Sequence, residues 1–273
     1  MNGRKLKILA VMFFLVGVTV FSGCKKKTTT GSEVTVNPAA VVLAFLYEDM
    51  SEVILVSNPV ADTAHSQAKI NSRVFPIEGV APGYLMFIDT VMPVPGTSYK
   101  IEVTSDVGNS SGSAILPETT SIIAPEYGDT NLPLGQAVTC SWVASAGAQY
   151  YIVQYSGYAY TDSDYVECPS KQLYPTANGI TIPASYFNVP GAICYSVALE
   201  VIPCSGAKPE AGQTANMTGT INGFLSAQGY PSHVYFYVGT PTKGIVKEKF
   251  AMPSRKDIIN TYLRDLGINT VVE

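Results

Sequence analysis

From residue 33 onward the apolar positions fall in short runs broken by Gly, Pro, Asn, Asp and Ser, the spacing of strands and turns rather than of helices. Residues 33–36, 41–47, 53–56, 68–77, 84–92, 99–103 and 113–116 predict about seven strands, rich in β-branched and aromatic side chains. Pro117-Glu118-Thr119-Thr120 reads as an interdomain linker. Beyond it Val138, Cys140 and Trp142 alternate on one strand, a turn at 146–148 leads into 150–155 (YYIVQY), and 180–187 predicts another strand. After a Pro190-Gly191 turn, Ile193, Tyr195, Val197, Leu199 and Val201 alternate on a further one. Residues 205–232, rich in Gly, Ala, Ser and Thr, predict a long loop before the last strand. Past Gly239 the period becomes helical: Ser254 and Asp257 form a capping-box pattern, Ile258, Ile259, Tyr262, Leu263 and Leu266 make one apolar stripe, and Gly267 stops it. That stripe is expected to pack on the second β unit.

The pattern predicts an all-β chain: two β-sandwiches in tandem with a short C-terminal α-helix. Its organisation is expected to be a signal peptide (1–23), a tether (24–33), a first sandwich (34–118), a second (119–241) and a tail (242–273). With 47% hydrophobic and 14% charged residues, the composition excludes a disordered chain, a coiled coil and a collagen-like repeat.

Arg4, Lys5 and Lys7 precede an apolar run over 8–20, too short for a membrane span and right for a secretory signal. Ser22-Gly23-Cys24 resembles the end of the bacterial lipobox, with Phe21 where that motif usually has Leu. The resemblance implies that Cys24 is diacylated, becomes the new N-terminus and anchors the protein to an outer or cell membrane of the envelope. Residues 25–31 (KKKTTTG) carry nothing to bury and would serve as the tether.

Charge is uneven. Residues 28–240 hold 5 Lys and Arg against 17 Asp and Glu, whereas the last 33 residues hold 6 basic and 4 acidic. An acidic body repels phosphate backbones, so nucleic acid is not an expected partner. Besides Cys24, four cysteines remain: Cys140, Cys168, Cys194 and Cys204. An even number in an exported chain predicts two disulfides, and no pair has the spacing of a zinc site. No metal or cofactor is expected.

The second unit resembles a fibronectin type III or related immunoglobulin-like sandwich. Trp142 would be the core tryptophan of the second strand, Tyr151 to Val153 the following Tyr-x-Val strand, and Pro190-Gly191 with Tyr195 the tyrosine corner. The family spacing P-G-x-x-Y would put Cys194 at the corner, so either one residue is inserted or the cysteine replaces the tyrosine. The first unit carries the unbroken form, Pro95-Gly96-Thr97-Ser98-Tyr99. Two corners imply two related sandwiches in series. The strand order of such a sandwich implies pairing of Cys140 with Cys194 and of Cys168 with Cys204. The resemblance identifies a fold and no activity.

Gly108-Asn109-Ser110-Ser111-Gly112 matches the letters of the G-x-S-x-G nucleophile elbow, but that motif needs a strand entering a helix, and a hairpin turn is expected instead. His65 and His233 lie in different units, outside metal-ligand spacings. Seven tyrosines fall between Tyr150 and Tyr174, and the same stretch carries Asp162, Asp164 and Glu167. Aromatic faces stack on sugars while carboxylates accept hydroxyl protons, so Tyr158, Tyr160, Asp162, Asp164, Tyr165 and Glu167 are the candidate ligand-binding residues. No catalytic residue is assigned, and the chain is expected not to be an enzyme. The expected role is an envelope-anchored, non-catalytic binding or scaffolding module for a protein or polysaccharide partner. The alternative is a carbohydrate-active enzyme or a glycan-capturing component of an uptake system.

Overall fold

The computed structural model describes residues 37–129, 132–162, 164–209, 213–241 and 260. The signal, Cys24, the tether and, apart from Asn260, the expected C-terminal helix lie outside the described residues. The described chain is all-β. In the first half run β1 (Asn37–Leu46), β2 (Ser51–Ser57), β3 (Gln67–Ile70), β4 (Arg73–Val74), β5 (Ile77–Ala81), β6 (Tyr84–Asp89), β7 (Ser98–Ser105) and β8 (Gly108–Ile115). There follow β9 (Ile122–Ala124), β10 (Val138–Trp142), β11 (Tyr150–Tyr160), β12 (Tyr165–Leu173), β13 (Gly179–Ile182) and β14 (Cys194–Gly206). The last are β15 (Thr218–Gly219), β16 (Ile221–Gln228) and β17 (Ser232–Gly239).

One nine-stranded sheet runs through both halves in the order β12-β11-β14-β16-β1-β2-β6-β5, with β17 also on β14. Two smaller sheets cover one face of it. The five-stranded β15-β8-β7-β3-β4 packs on the first half over a core of Val42, Leu46, Leu55, Phe75, Phe87, Ile101 and Leu225. The three-stranded β13-β10-β9 packs on the second half over Trp142, Tyr151, Val153, Tyr195, Leu199 and Phe236. Each half is therefore a two-layer sandwich, and a single sheet forms one layer of both.

Long β14 makes this continuity possible. Its first eight residues pair with β17 (Cys194↔Gly239 to Val201↔Ser232), and its last three pair with β16 (Cys204↔Gln228 to Gly206↔Ser226). β16 then runs parallel to β1, matching Val42 with Gly223 and Leu46 with Ala227. Residues 205–232 thus contain a central strand of the sheet, not only the loop expected from their composition. Its Ile221, Leu225 and Ala227 are buried in the core of the first half, and small residues suit the tight approach there: a side chain at Gly223 would meet Ser110 and Met217. The expected turn at 108–112 is also corrected. Gly108 to Gly112 lie in β8 between β7 and β15, and the hairpin turns at Asp106-Val107 instead.

Both tyrosine corners are formed. The Tyr99 hydroxyl accepts the Val94 N–H at 2.6 Å, and the Tyr195 hydroxyl accepts the Val189 N–H at 2.8 Å. In each case the donor is the residue before Pro-Gly, so in the second half one residue is inserted and the tyrosine keeps its role. Tyr195 is also the inward residue, in the core with Phe187 at a ring distance of 5.3 Å.

The expected disulfides are a further correction: Cys140, Cys168, Cys194 and Cys204 are all free, buried thiols. Cys194 and Cys204 occupy opposite ends of β14, about 33 Å apart along an extended strand. Cys194 has the parity opposite to inward Tyr195 and its thiol lies 3.9 Å from the Gly239 carbonyl, whereas Cys140 sits between the sheets. Cys168 pairs in register with Gly157 and hence lies level with Val197, seven residues from Cys204 along β14.

Candidate functional site

The candidate site is the second half's share of the long sheet, on the face turned away from the β13-β10-β9 layer. Strand alternation sends Tyr151, Val153, Val197, Leu199, Val234 and Phe236 inward. Their neighbours point outward and line up by register. Gln172, Gln154, Glu200 and His233 form one row across β12, β11, β14 and β17. Glu167, Tyr158, Ser196 and Tyr237 form a second, and Tyr165, Tyr160 and Cys194 a third.

Four of the six residues singled out from the sequence come together here. Tyr165 packs edge-on against Tyr158 at 5.4 Å and tilted against Tyr160 at 6.3 Å, beside Glu167 on the sheet's edge strand. The Tyr165 side chain is half exposed, and the neighbouring Val166 is 47% exposed. The other two residues, Asp162 and Asp164, belong to the β11–β12 turn. Asp164 is committed to that turn: its Oδ1 accepts the Tyr165 N–H at 2.8 Å, and its carbonyl accepts the Thr161 N–H and hydroxyl. Asp162 is exposed at the tip. Among the described residues no group of three His, Cys, Asp or Glu is placed to hold a metal ion.

The first row was not singled out from the sequence. Gln154 is 3% exposed, and neither its amide nitrogen nor its amide oxygen has a protein partner. Beside it, burial holds the Glu200 carboxyl above its ordinary range; His233 opposes the rise and Glu48, from the end of β1, adds to it. A buried amide with both ends open can donate to and accept from one ligand hydroxyl or a water. The available signal was the parity of Gln154 and Glu200 relative to Tyr155 and Leu199. The pairing of strands 46 residues apart was needed to make it a row.

The remaining polar features are structural. His65 Nδ1 lies 2.6 Å from Asp62, whose carboxylate also caps the single turn at 63–65; both contacts hold Asp62 below its usual range. A cleft of about 390 Å³ where the halves join is lined by Ser98, Ser113, Gln149, Ser205 and Asn216. Its polar groups are largely used internally: Ser205 donates to the Ile115 carbonyl, Gln149 accepts from Gly206, and Asn216 brackets Leu225.

No protein-family model matches the chain, and no curated protein matches it. Among solved structures, the fibronectin(III)-like modules of Clostridium thermocellum CbhA are similar over 82% of this chain and 99% of that one, at 8% identity and a TM-score of 0.27. The all-β architecture rests on the strands, sheets and corners themselves.

Proposed function

We propose that the protein is an exported lipoprotein, anchored through acylated Cys24, whose second sandwich is a non-catalytic binding or scaffolding module for a polysaccharide or protein of the cell envelope. The observation that carries the reading is the half-exposed Tyr165 on the edge strand, braced by Tyr158 and Tyr160 and flanked by Glu167. An exposed ring on a rigid strand offers an apolar plate to a sugar or a side chain, and adjacent carboxylates accept hydroxyl or amide protons. The row of Gln154 and Glu200 places further polar groups beside that edge, partly buried in the sheet.

Two experiments test it. Metabolic labelling with a radioactive fatty acid should mark the wild-type chain and leave Cys24→Ser unlabelled; equal labelling of both would remove the anchor. Affinity electrophoresis through soluble envelope polysaccharides should retard the protein and release Tyr165→Ala. Retardation that Tyr165→Ala leaves intact would move the binding surface elsewhere. No retardation, with a crosslinked envelope protein lost in Tyr165→Ala, would assign the surface to a protein partner.

A further inference from the structure

The outward side chains of the β11–β12 hairpin stand in a square fixed by register. Tyr158 is paired with Glu167 and Tyr160 with Tyr165, so three rings and one carboxylate share four adjoining positions on one face of two strands. Side chains paired directly across antiparallel strands have Cβ atoms about 4.5–5.5 Å apart, and Tyr165 and Glu167, two residues apart on the same face, are about 6.8 Å apart along β12. The Tyr165 ring meets Tyr158 at 5.4 Å and 83° and Tyr160 at 6.3 Å and 45°, and its side chain remains half exposed. Glu167 is exposed, as is Asp162 at the end of the hairpin. Charge here is one-sided. The chain has no Lys or Arg between residues 101 and 170, and Lys171 is in register with inward Tyr155, on the side of β12 away from Tyr165. Among the described residues no Lys or Arg forms an ion pair with Glu167.

We infer that this square takes an organic cation, a quaternary ammonium group of the choline type borne by an envelope polysaccharide. The inference rests on the binding surface proposed above and adds the charge of the ligand to it. An aromatic ring is negative on its face and attracts a cation within about 6 Å of its centroid. The chain makes such a contact at the far end of β11, where Lys208 Nζ stands 5.7 Å from the centroid of Tyr150. At the hairpin end the rings and the carboxylate belong to the protein, and the cation is left to the ligand. One group resting on the open face of Tyr165 lies close enough to Glu167 to be neutralised by it. A methyl-clad ammonium is weakly hydrated and gives up little on leaving water, whereas a lysine ammonium is strongly hydrated. A calcium ion needs six or more oxygen ligands, and the square offers one carboxylate. An anionic sugar is repelled by Glu167 and Asp162, and a neutral one leaves their charge unmatched. The same carboxylates are repelled by an anionic membrane surface, which favours a polymer over a lipid headgroup as the carrier.

Titration of the ¹⁵N-labelled full chain, followed by amide shifts, tests this with choline chloride against 3,3-dimethylbutan-1-ol, the neutral isostere with carbon in place of nitrogen. Choline should shift the amides of Tyr158, Tyr165 and Glu167 and bind about tenfold tighter than the isostere. Tyr165→Phe should keep that binding, Glu167→Gln should weaken it several-fold, and Tyr165→Ala should lose it. Equal binding of the two ligands, lost in Tyr165→Ala, would overturn the cation and leave the apolar plate standing. Choline binding that Tyr165→Ala leaves unchanged, or tighter binding of Nα-acetyl-lysine amide than of choline, would also overturn it. So would sedimentation with phosphatidylcholine vesicles that depends on Tyr165, since the carrier would then be a lipid. If choline causes no shift while polysaccharide retardation still depends on Tyr165, this inference alone fails; if retardation is absent too, the proposed surface fails with it.

Discussion

Two stretches of the same sheet, turned to the same side of the molecule, differ in what their outer faces are made of. Over β1, β2 and β6 the outward face is Val41, Leu43, Phe45, Ile54 and Val56, buried throughout. Over β11, β14 and β17 it mixes buried Tyr150, Ile152, Gln154, Ser196, Ile202 and Cys204 with partly or fully exposed Tyr158, Glu200, His233 and Tyr237. The difference is already written in the strands. AVVLAFLY and EVILV are continuous apolar runs, the mark of a strand buried on both faces, whereas SHVYFYVG alternates, the mark of one covered face. One sheet thus carries an all-apolar outer face at one end and a mixed polar and apolar one at the other, because each strand's two faces are specified independently.

The strongest break in that comparison is Phe45→Ala against Tyr165→Ala. Phe45 is 1% exposed and stacked on Tyr47, so its truncation leaves a cavity and should cost about 3–5 kcal/mol in urea unfolding. Tyr165→Ala, at half-exposed Tyr165, should cost under about 1 kcal/mol while abolishing the proposed binding. Equal losses would mean that the two faces are equally structural. Next in size is Gly157→Ala at the β11 irregularity, where a methyl would collide with the Ser196 carbonyl oxygen. It should lose about 2–3 kcal/mol by the same measurement, since backbone must move to admit it.

Alkaline pH sharpens the contrast between core and surface. Burial raises all four thiols from 9.0, Cys140 to about 12 and Cys194 to about 11. The folded state therefore favours the protonated thiols; this contribution is fully present below the unfolded value near 9 and is lost as pH climbs toward the folded values. Unfolding free energy should fall by up to about 1.4 kcal/mol per pH unit for each thiol titrating between its unfolded and folded values. A thiol reagent should label none of them until urea is added. Fast labelling of Cys140 in the native protein would contradict its burial. The smallest effect expected is a gain: Glu200→Gln removes a carboxylate whose charge burial disfavours and should stabilise the protein at neutral pH by up to about 1 kcal/mol. A loss instead would mean that the Glu200–His233 pairing outweighs the desolvation.

Much of the fold was legible in the sequence. Alternation located most strands, Pro95-Gly96 and Pro190-Gly191 marked both corners, and Trp142 is in the core with Tyr151 at 5.3 Å, as the resemblance implied. Within the candidate site the tyrosines of the β11–β12 hairpin could be named because they are close in sequence, and a hairpin keeps such neighbours together. Asp164 could not be judged from its spacing, because its commitment to the turn depends on backbone geometry.

By itself the sequence determined which residues form strands and which face of each strand is apolar, since side-chain alternation is a local property of extended backbone. Only the tertiary structure decided which strands are partners. That β16 leaves the second half to lie parallel to β1, 180 residues away, is set by the apolar faces of Ile221 and Leu225 finding a core distant in the chain. That four cysteines stand apart as thiols is decided by register, which puts Cys194 and Cys204 at opposite ends of one strand. That Gln154, Glu200 and His233 form a row is decided the same way. Pairing depends on contacts between segments far apart in sequence, and no local periodicity encodes them.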